Sequence, residues 1–210
     1  FLEDLKARGL RAPLLVISDG ASGLLGAVEH KVPTALRQRC LIHRARNVAA
    51  KVPAEHRDEL EAAFWAIFDM PDGTVPGEEA VRAAQRNIDA FARRYEREFP
   101  AAVKCLLTHR QALTAYLRFP AEHWKRIRHT NLIERTFGET RRRVKVIGRL
   151  PGEASCLSLV WAVLDRASRG WRGLTYTPAI TRHLTVLRHQ LDSSADTIDD
   201  QSGQAVTPAA

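Results

Sequence analysis

The chain has 210 residues, 45% of them apolar and 27% charged, with 12 Gly and 10 Pro. That composition excludes collagen-like, low-complexity and wholly disordered classes, and the length suits one sizeable domain with additions or two small ones. Lys and Arg number 32 against 24 Asp and Glu, a formal charge of +8, and four of the acids (Asp192, Asp196, Asp199 and Asp200) sit in a tail without Lys or Arg. A surplus of this kind points to a polyanionic partner, nucleic acid first and an anionic membrane surface second.

The apolar runs, such as Leu14 to Ile17, are far shorter than the roughly 18 residues of a membrane span, so no membrane partner is expected. Cys40, Cys105 and Cys156 are odd in number and far apart, which fits a reducing cytoplasm. The first residues, Phe1-Leu2-Glu3-Asp4-Leu5, lack an initiator Met and the basic-then-apolar order of a signal peptide. The chain reads as cut from something longer.

Leu2 to Lys6 predicts the end of a helix, and Ala12 to Ile17 predicts a short buried strand that stops at Ser18-Asp19-Gly20. Leu24, Leu25 and Val28 at helical spacing predict a helix over 22–29, stopped by Pro33. Gln38 to His43 reads as a second, mixed strand, and Arg44 to Val52 as a helix. Helix, strand, helix, strand indicates an α/β sheet with a parallel crossover.

From Pro53 the period changes. Leu60, Phe64 and Phe68, then Val81, Ile88, Phe91 and Tyr95, then Val103, Leu106, Leu107 and Leu113 recur at three- or four-residue steps, so the middle is helical, broken by a loop over 69–79. Further helices are predicted over about 131–146 and 154–168, and from Gln190 the small, polar, acidic composition predicts disorder.

Asp19 ends an apolar strand, the place where open α/β sheets meet ligands and metals. It is equally an ordinary turn residue capping the next helix. Asn131 followed by Glu134 forms a capping box pattern, which needs no catalytic role. On a helix, Ile133, Phe137, Thr140, Val144 and Ile147 make an apolar face, whereas Glu134, Gly138, Arg141 and Lys145 make a separate stripe headed by a carboxylate. Gly138, costly inside a helix, suggests close approach of a large partner such as a nucleic-acid backbone.

Between Trp124 and Arg149, nine Lys or Arg face only Glu134 and Glu139, and phosphate contact explains a one-signed run of that kind. Cys40 and His43 with Cys105 and His109 offer four zinc-ligand types, but C-x2-H followed far downstream by C-x3-H is not a recognised finger, and zinc is not expected.

Four segments together resemble the Mutator-type transposases of bacterial insertion sequences. They are Val16-Ile17-Ser18-Asp19-Gly20 with Gly23-Leu24, the stretch Gln38 to Val48 containing Cys40-Leu41-Ile42-His43, the stretch Trp124 to Arg135 containing His129-Thr130-Asn131-Leu132-Ile133-Glu134, and Arg141-Arg142-Arg143-Val144-Lys145. The resemblance implies an α/β fold, helix-rich overall, with part of a ribonuclease H-like core and an all-helical insertion. It implies a DDE transposase that cleaves and joins DNA strands using two Mg²⁺ ions held by two Asp and one Glu, with Asp19 as the second Asp and Glu134 as the Glu.

On that pattern Lys125, Arg126, Arg128, Arg135, Arg141, Arg142, Arg143 and Lys145 hold DNA phosphates, and Cys40 with His43 forms a structural or DNA-orienting motif. Residues 1–52 become the second half of the sheet, 53–123 the helical insertion, 124–170 the catalytic Glu helix with the basic helices, 171–191 a C-terminal segment and 192–210 a disordered acidic tail. The family's first Asp lies upstream of anything in these residues, so a fragment inactive on its own is expected. Implied partners are transposon-end and target DNA and further copies of the full-length protein, in the bacterial cytoplasm with the nucleoid. Alternatives are a non-catalytic DNA-binding remnant, another metal-dependent nuclease on the same fold, and a zinc-stabilised helical interaction protein.

Overall fold

A computed structural model describes residues 1–171 and 173–203, with side chains described as far as 193. The chain divides into two compact units, one formed by Phe1–His129 with the segment from Tyr176 onward, the other by Thr130–Thr175.

The first unit opens with α1 (Leu2–Ala7), β1 (Leu15–Ser18), α2 (Ser22–Lys31) and β2 (Leu36–Arg39). The strands pair in parallel, Leu15 opposite Leu36 and Ser18 opposite Arg39. A parallel pair needs a crossover, and α2 supplies it. Val28, Val32 and Ala35 are buried beneath that crossover, with Leu2, Ala12 and Val16 packed against them.

The second strand departs from expectation. It stops at Arg39, and Cys40 is the N-cap of α3 (Leu41–Ala49), so Leu41 to His43 is helix rather than strand. Leu41, Ala45 and Val48 recur at helical spacing and all are buried, and that burial decides the conformation.

Helices α3, α4 (Arg57–Ile67), α5 (Glu78–Tyr95) and α6 (Pro100–Leu107) then pack on one another. Leu60, Phe64, Ile88, Leu106 and Leu117 form their core. The expected loop lies between α4 and α5. After two 3-10 turns at Arg110–Leu113 and Ala115–Arg118, α7 (Trp124–Ile127) closes this part.

Those 3-10 turns are tied to β2 through one buried side chain. Gln38 Nε2 donates to the Leu113 carbonyl (3.2 Å) and the Arg39 carbonyl (2.7 Å), and Gln38 Oε1 accepts from the Tyr116 N–H (2.9 Å). Gln38→Leu keeps the volume but leaves the buried Tyr116 N–H and Leu113 carbonyl without partners. At about 1–3 kcal/mol for each of the two orphaned groups, it is expected to lower unfolding free energy by about 2–6 kcal/mol. Urea unfolding should show a lower midpoint at unchanged slope, and an unchanged midpoint would show that the packing of the 3-10 turns on β2 does not depend on Gln38.

The second unit is a helical hairpin of α8 (Asn131–Ile147) and α9 (Glu153–Ser168). Gly148, at φ +72°, ends α8, and its N–H donates to the Val144 carbonyl (3.3 Å). Thr136 and Thr140 are the buried residues of α8, their hydroxyls donating to the carbonyls four residues back. The expected apolar face is covered only in part: Thr140 is buried and Val144 half-buried, whereas Ile133 and Phe137 remain 54% and 52% exposed. Threonines can occupy the buried line because each satisfies its hydroxyl locally.

The last helix, α10 (Pro178–Gly203), belongs to the first unit. It docks through buried Ile180 and Leu187, through Arg188 Nη1 donating to the Ala12 carbonyl (2.8 Å), and through a His183 Nε2 hydrogen bond with the Arg118 carbonyl (2.7 Å). It continues through part of the stretch whose composition predicts disorder, because no Gly or Pro interrupts the chain between Pro178 and Gly203; residues 204–210 lie outside the described residues. Among the described residues no helix is long and apolar enough to cross a membrane.

Candidate metal centre and nucleic-acid interface

Asp19 follows the last residue of β1 and is exposed. The final rung of the sheet, Cys40 N–H to the Ser18 carbonyl at 2.8 Å, fixes the strand end immediately before it. Asp19 Oδ1 accepts from the Ala21 N–H at 3.1 Å, a turn of the Asx type, and no side chain caps α2. The ordinary turn is therefore present and the helix cap is not. Oδ2 carries no hydrogen bond among the described residues and remains available as a hard oxygen ligand.

Gly20 makes this turn possible. Its φ is +90°, and a Cβ there would lie 1.3 Å from Arg39 Nη1, which donates to the Gly20 carbonyl at 3.2 Å. Arg39, the last residue of β2, thus holds the loop that presents Asp19. Burial and the neighbouring Arg44 push the Arg39 guanidinium below its ordinary pKa, while the Asp19 charge acts in the opposite direction.

Cys40 is fully buried at the start of α3, with His43 three residues on and partly buried. The Leu41 N–H donates to the Arg128 carbonyl at 2.9 Å, tying this helix start to the end of α7. Arg44 is 3% exposed; Nη1 donates to the Cys105 carbonyl and Nη2 to the Thr108 carbonyl (2.9 Å), so it satisfies the last carbonyls of α6. Cys105 and His109 do not gather with Cys40 and His43 into a four-ligand group among the described residues.

In the other unit, Glu134 sits exposed in the first turn of α8. The expected capping box does not form: Thr130, not Asn131, occupies the N-cap position, no side chain caps the helix, and the Thr130 hydroxyl donates instead to Glu134 Oε1. The Glu134 N–H in turn donates to the Thr130 carbonyl at 3.1 Å. Thr130 takes the N-cap position because Asn131 already has helical conformation. The stripe Glu134, Gly138, Arg141 and Lys145 is exposed along its whole length.

The basic residues differ in availability. Arg142 and Arg143 both pair with Glu139, at 2.8 and 2.9 Å, and the hydrogen bonds from Arg142 and then Arg143 hold the Glu139 carboxyl below its usual range. Arg135, Arg141 and Lys145 are exposed and make no ion pair among the described residues. In the first unit Lys125 and Arg126 are exposed, whereas the Arg128 guanidinium lies over the Trp65 ring, 5.6 Å from its centre. That cation–π contact gives Arg128 a packing role.

Residues 1–173 match the model of the transposase Mutator family. The chain belongs to that family. It is 36% identical over 178 residues to the transposase for insertion sequence element IST2 of Acidithiobacillus ferrooxidans, covering 84% of this chain and 57% of that protein. It is 34% identical over 173 residues to the transposase for IS6120 of Mycolicibacterium smegmatis, covering 82% of this chain and 51% of that one. With the transposase for IS256 in transposon Tn4001 of Staphylococcus aureus the identity is 32% over 171 residues, covering 81% and 42%. The chain thus spans about half the length of the relatives it matches.

Membership gives the four sequence segments a common origin, and two residues gain importance that their residue types alone did not signal. Arg39 and Gln38 lie inside the segment that carries the resemblance, yet only the three-dimensional structure gives them partners. Gly138 faces open space, with nothing within 4 Å of where a Cβ would stand. Gly138→Ala is therefore expected to stabilise α8 by up to about 1 kcal/mol. Thermal melting checks it, and an unchanged or lowered melting temperature would show that the helix gains nothing from the added methyl group.

Proposed function

We propose that this chain is part of an insertion-sequence DNA transposase of the DDE type, in which Asp19 and Glu134 are two of three carboxylates that hold two Mg²⁺ ions. What carries this reading is Asp19 at the carboxyl end of a parallel strand, with one oxygen used by its turn and the other open, in a chain of the Mutator family. The unpaired outer edge of β1 among the described residues suits a ribonuclease H-like sheet with further strands beside it. Residues 53–123 then act as the helical insertion and 124–170 as the segment carrying the catalytic Glu and the basic residues.

Divalent ions at such a site supply Lewis acidity and bring down the pKa of an attacking water or 3′-hydroxyl. The chain's own part is to fix the ligands and the DNA. The Ala21 N–H orients the Asp19 carboxylate, the Thr130 hydroxyl orients Glu134, and Arg135, Arg141 and Lys145 take up phosphates, with Lys125 and Arg126 extending that role. Cys40 and His43 order the start of α3 beside the Asp19 loop. The partners are transposon-end and target DNA, with a second copy of the full-length protein so that two ends can be joined, in the bacterial cytoplasm at the nucleoid.

The exposed basic helix favours one second reading, a DNA-binding module without chemistry. Strand-cleavage assays with Mg²⁺ separate the two: the metal-site reading requires Asp19 and Glu134 for cleavage, and the binding-only reading leaves both variants without effect on any measured activity.

A further inference from the structure

A cleft of about 300 Å³ opens in the first unit, lined by Leu25 and Glu29 of α2, Arg37 and Arg39 of β2, and His109 and Gln111. A strand's two-residue period sends the Arg37 and Arg39 side chains to the same face, and buried Gln38 between them also borders the cleft. The two arginines are not equivalent. Arg37 pairs with Glu29, so those charges cancel within the cleft. Arg39 makes no ion pair among the described residues: Nη1 is engaged by the Gly20 carbonyl, and Nε is buried without an acceptor.

Arg39 is therefore a half-buried guanidinium whose Nη2 makes no hydrogen bond among the described residues, with another cation, Arg44, as a neighbour and the Asp19 carboxylate as the opposing charge. A cation held this way gains from an anion that completes it. Nε is shielded from solvent, which leaves Nη2 as the nitrogen that can donate to a phosphate oxygen. Across the cleft His109 holds a left-handed backbone, φ +55°, the one non-glycine residue to do so among the described residues, and it is exposed together with Gln111. Backbone in that region of conformational space is uncommon for a side chain of this size and is concentrated at functional sites.

We propose that this cleft binds a phosphodiester of a nucleic-acid strand, with Nη2 of Arg39 as its charged contact and His109 and Gln111 as polar walls. The inference rests on the reading of the chain as a DNA-processing protein and adds a substrate contact to it. Because Arg39 also holds the Gly20 carbonyl, the phosphate bound there is registered directly against the loop that carries Asp19. Arg39 is thus a positioning residue for the strand.

The test uses this chain labelled with ¹⁵N-arginine, without divalent metal, titrated separately with inorganic phosphate and with a single-stranded 12-mer of thymidylate. The Arg39 Nε–H resonance, assigned by its disappearance in Arg39→Lys, is expected to shift with both, and at far lower concentration with the oligonucleotide. Arg39→Gln is expected to lower the slope of log affinity against log salt by about 0.7, equivalent to about fivefold weaker binding at 0.1 M salt. Arg39→Lys should restore the slope but not the full affinity, a pattern that a purely structural role for Arg39 does not give.

If the oligonucleotide binds and the Arg39 resonance stays still, the cleft assignment is overturned and the DNA-processing reading stands. If phosphate shifts the resonance but bound oligonucleotide does not, the cleft is a small-anion site and the nucleic-acid assignment is overturned. Absence of any binding to the oligonucleotide or to duplex DNA overturns both.

Discussion

Asp19→Asn and Glu134→Gln are each expected to lower Mg²⁺-dependent strand cleavage by more than about 100-fold, measured in a polypeptide that joins this chain to a Mutator-family segment supplying the third carboxylate. Loss of an outer-shell partner costs a metal site about 10- to 100-fold, so loss of a direct carboxylate ligand should cost more. The two substitutions are informative because they spare the local structure. Asn keeps the oxygen that accepts the Ala21 N–H, and Gln keeps an oxygen for the Thr130 hydroxyl. Turn and helix start therefore survive while the charge is removed.

Metal-free binding to duplex DNA is expected to stay within about twofold, or to tighten slightly as negative charge disappears. If both variants cleave at the unmodified rate, Asp19 is a turn residue and Glu134 a hydrogen-bond partner of Thr130, and the catalytic assignment fails. If neither the variants nor the unmodified protein cleave but all bind DNA, the binding-only module is the better account.

How much of this was legible in sequence depends on the range of the interactions involved. β1 and α2 could be read because an apolar run of strand length meets Gly20 and then a helical spacing, all within 20 residues. The end of β2 could not. Cys40-Leu41-Ile42-His43 has the composition of a strand, and only burial of Leu41, Ala45 and Val48 along one face makes it a helix. Gln38 and Arg44 look like surface residues by type, yet their partners lie 61 to 78 positions away, at Cys105, Leu113 and Tyr116. Local pattern carries no information about such pairs.

On α8 the limits are reached from reading threonine as a weak apolar residue. Thr136 and Thr140 take the buried line because their hydroxyls find carbonyls on their own helix, whereas bulkier Ile133 and Phe137 stay half exposed. The charged stripe, by contrast, was legible, since a helix of regular period spaces Glu134, Gly138, Arg141 and Lys145 without help from tertiary contacts.

The second large effect separates the basic residues of α8 by what they already hold. Arg135, Arg141 and Lys145 have no ion pair among the described residues, so replacing all three by Gln should remove three phosphate contacts. At about 0.9 per contact on duplex DNA, the slope of log affinity against log salt is expected to fall by about 2.7, and affinity at 0.1 M salt by roughly 10²–10³. Arg142 and Arg143 share Glu139, and DNA must compete with that carboxylate for them. Arg142→Gln and Arg143→Gln should therefore each cost less than any of the first three. Glu139→Gln should act in the opposite direction, releasing two guanidinium groups, tightening binding and steepening the salt slope. The Arg142 and Arg143 hydrogen bonds keep the Glu139 carboxyl below its ordinary pKa, so its competition persists as pH falls toward the usual carboxylate range and weakens only beneath it. Anisotropy titrations at four salt concentrations decide the matter: equal losses at all five basic positions would remove Glu139 as a competitor, and no loss at any of them would remove α8 from the DNA interface.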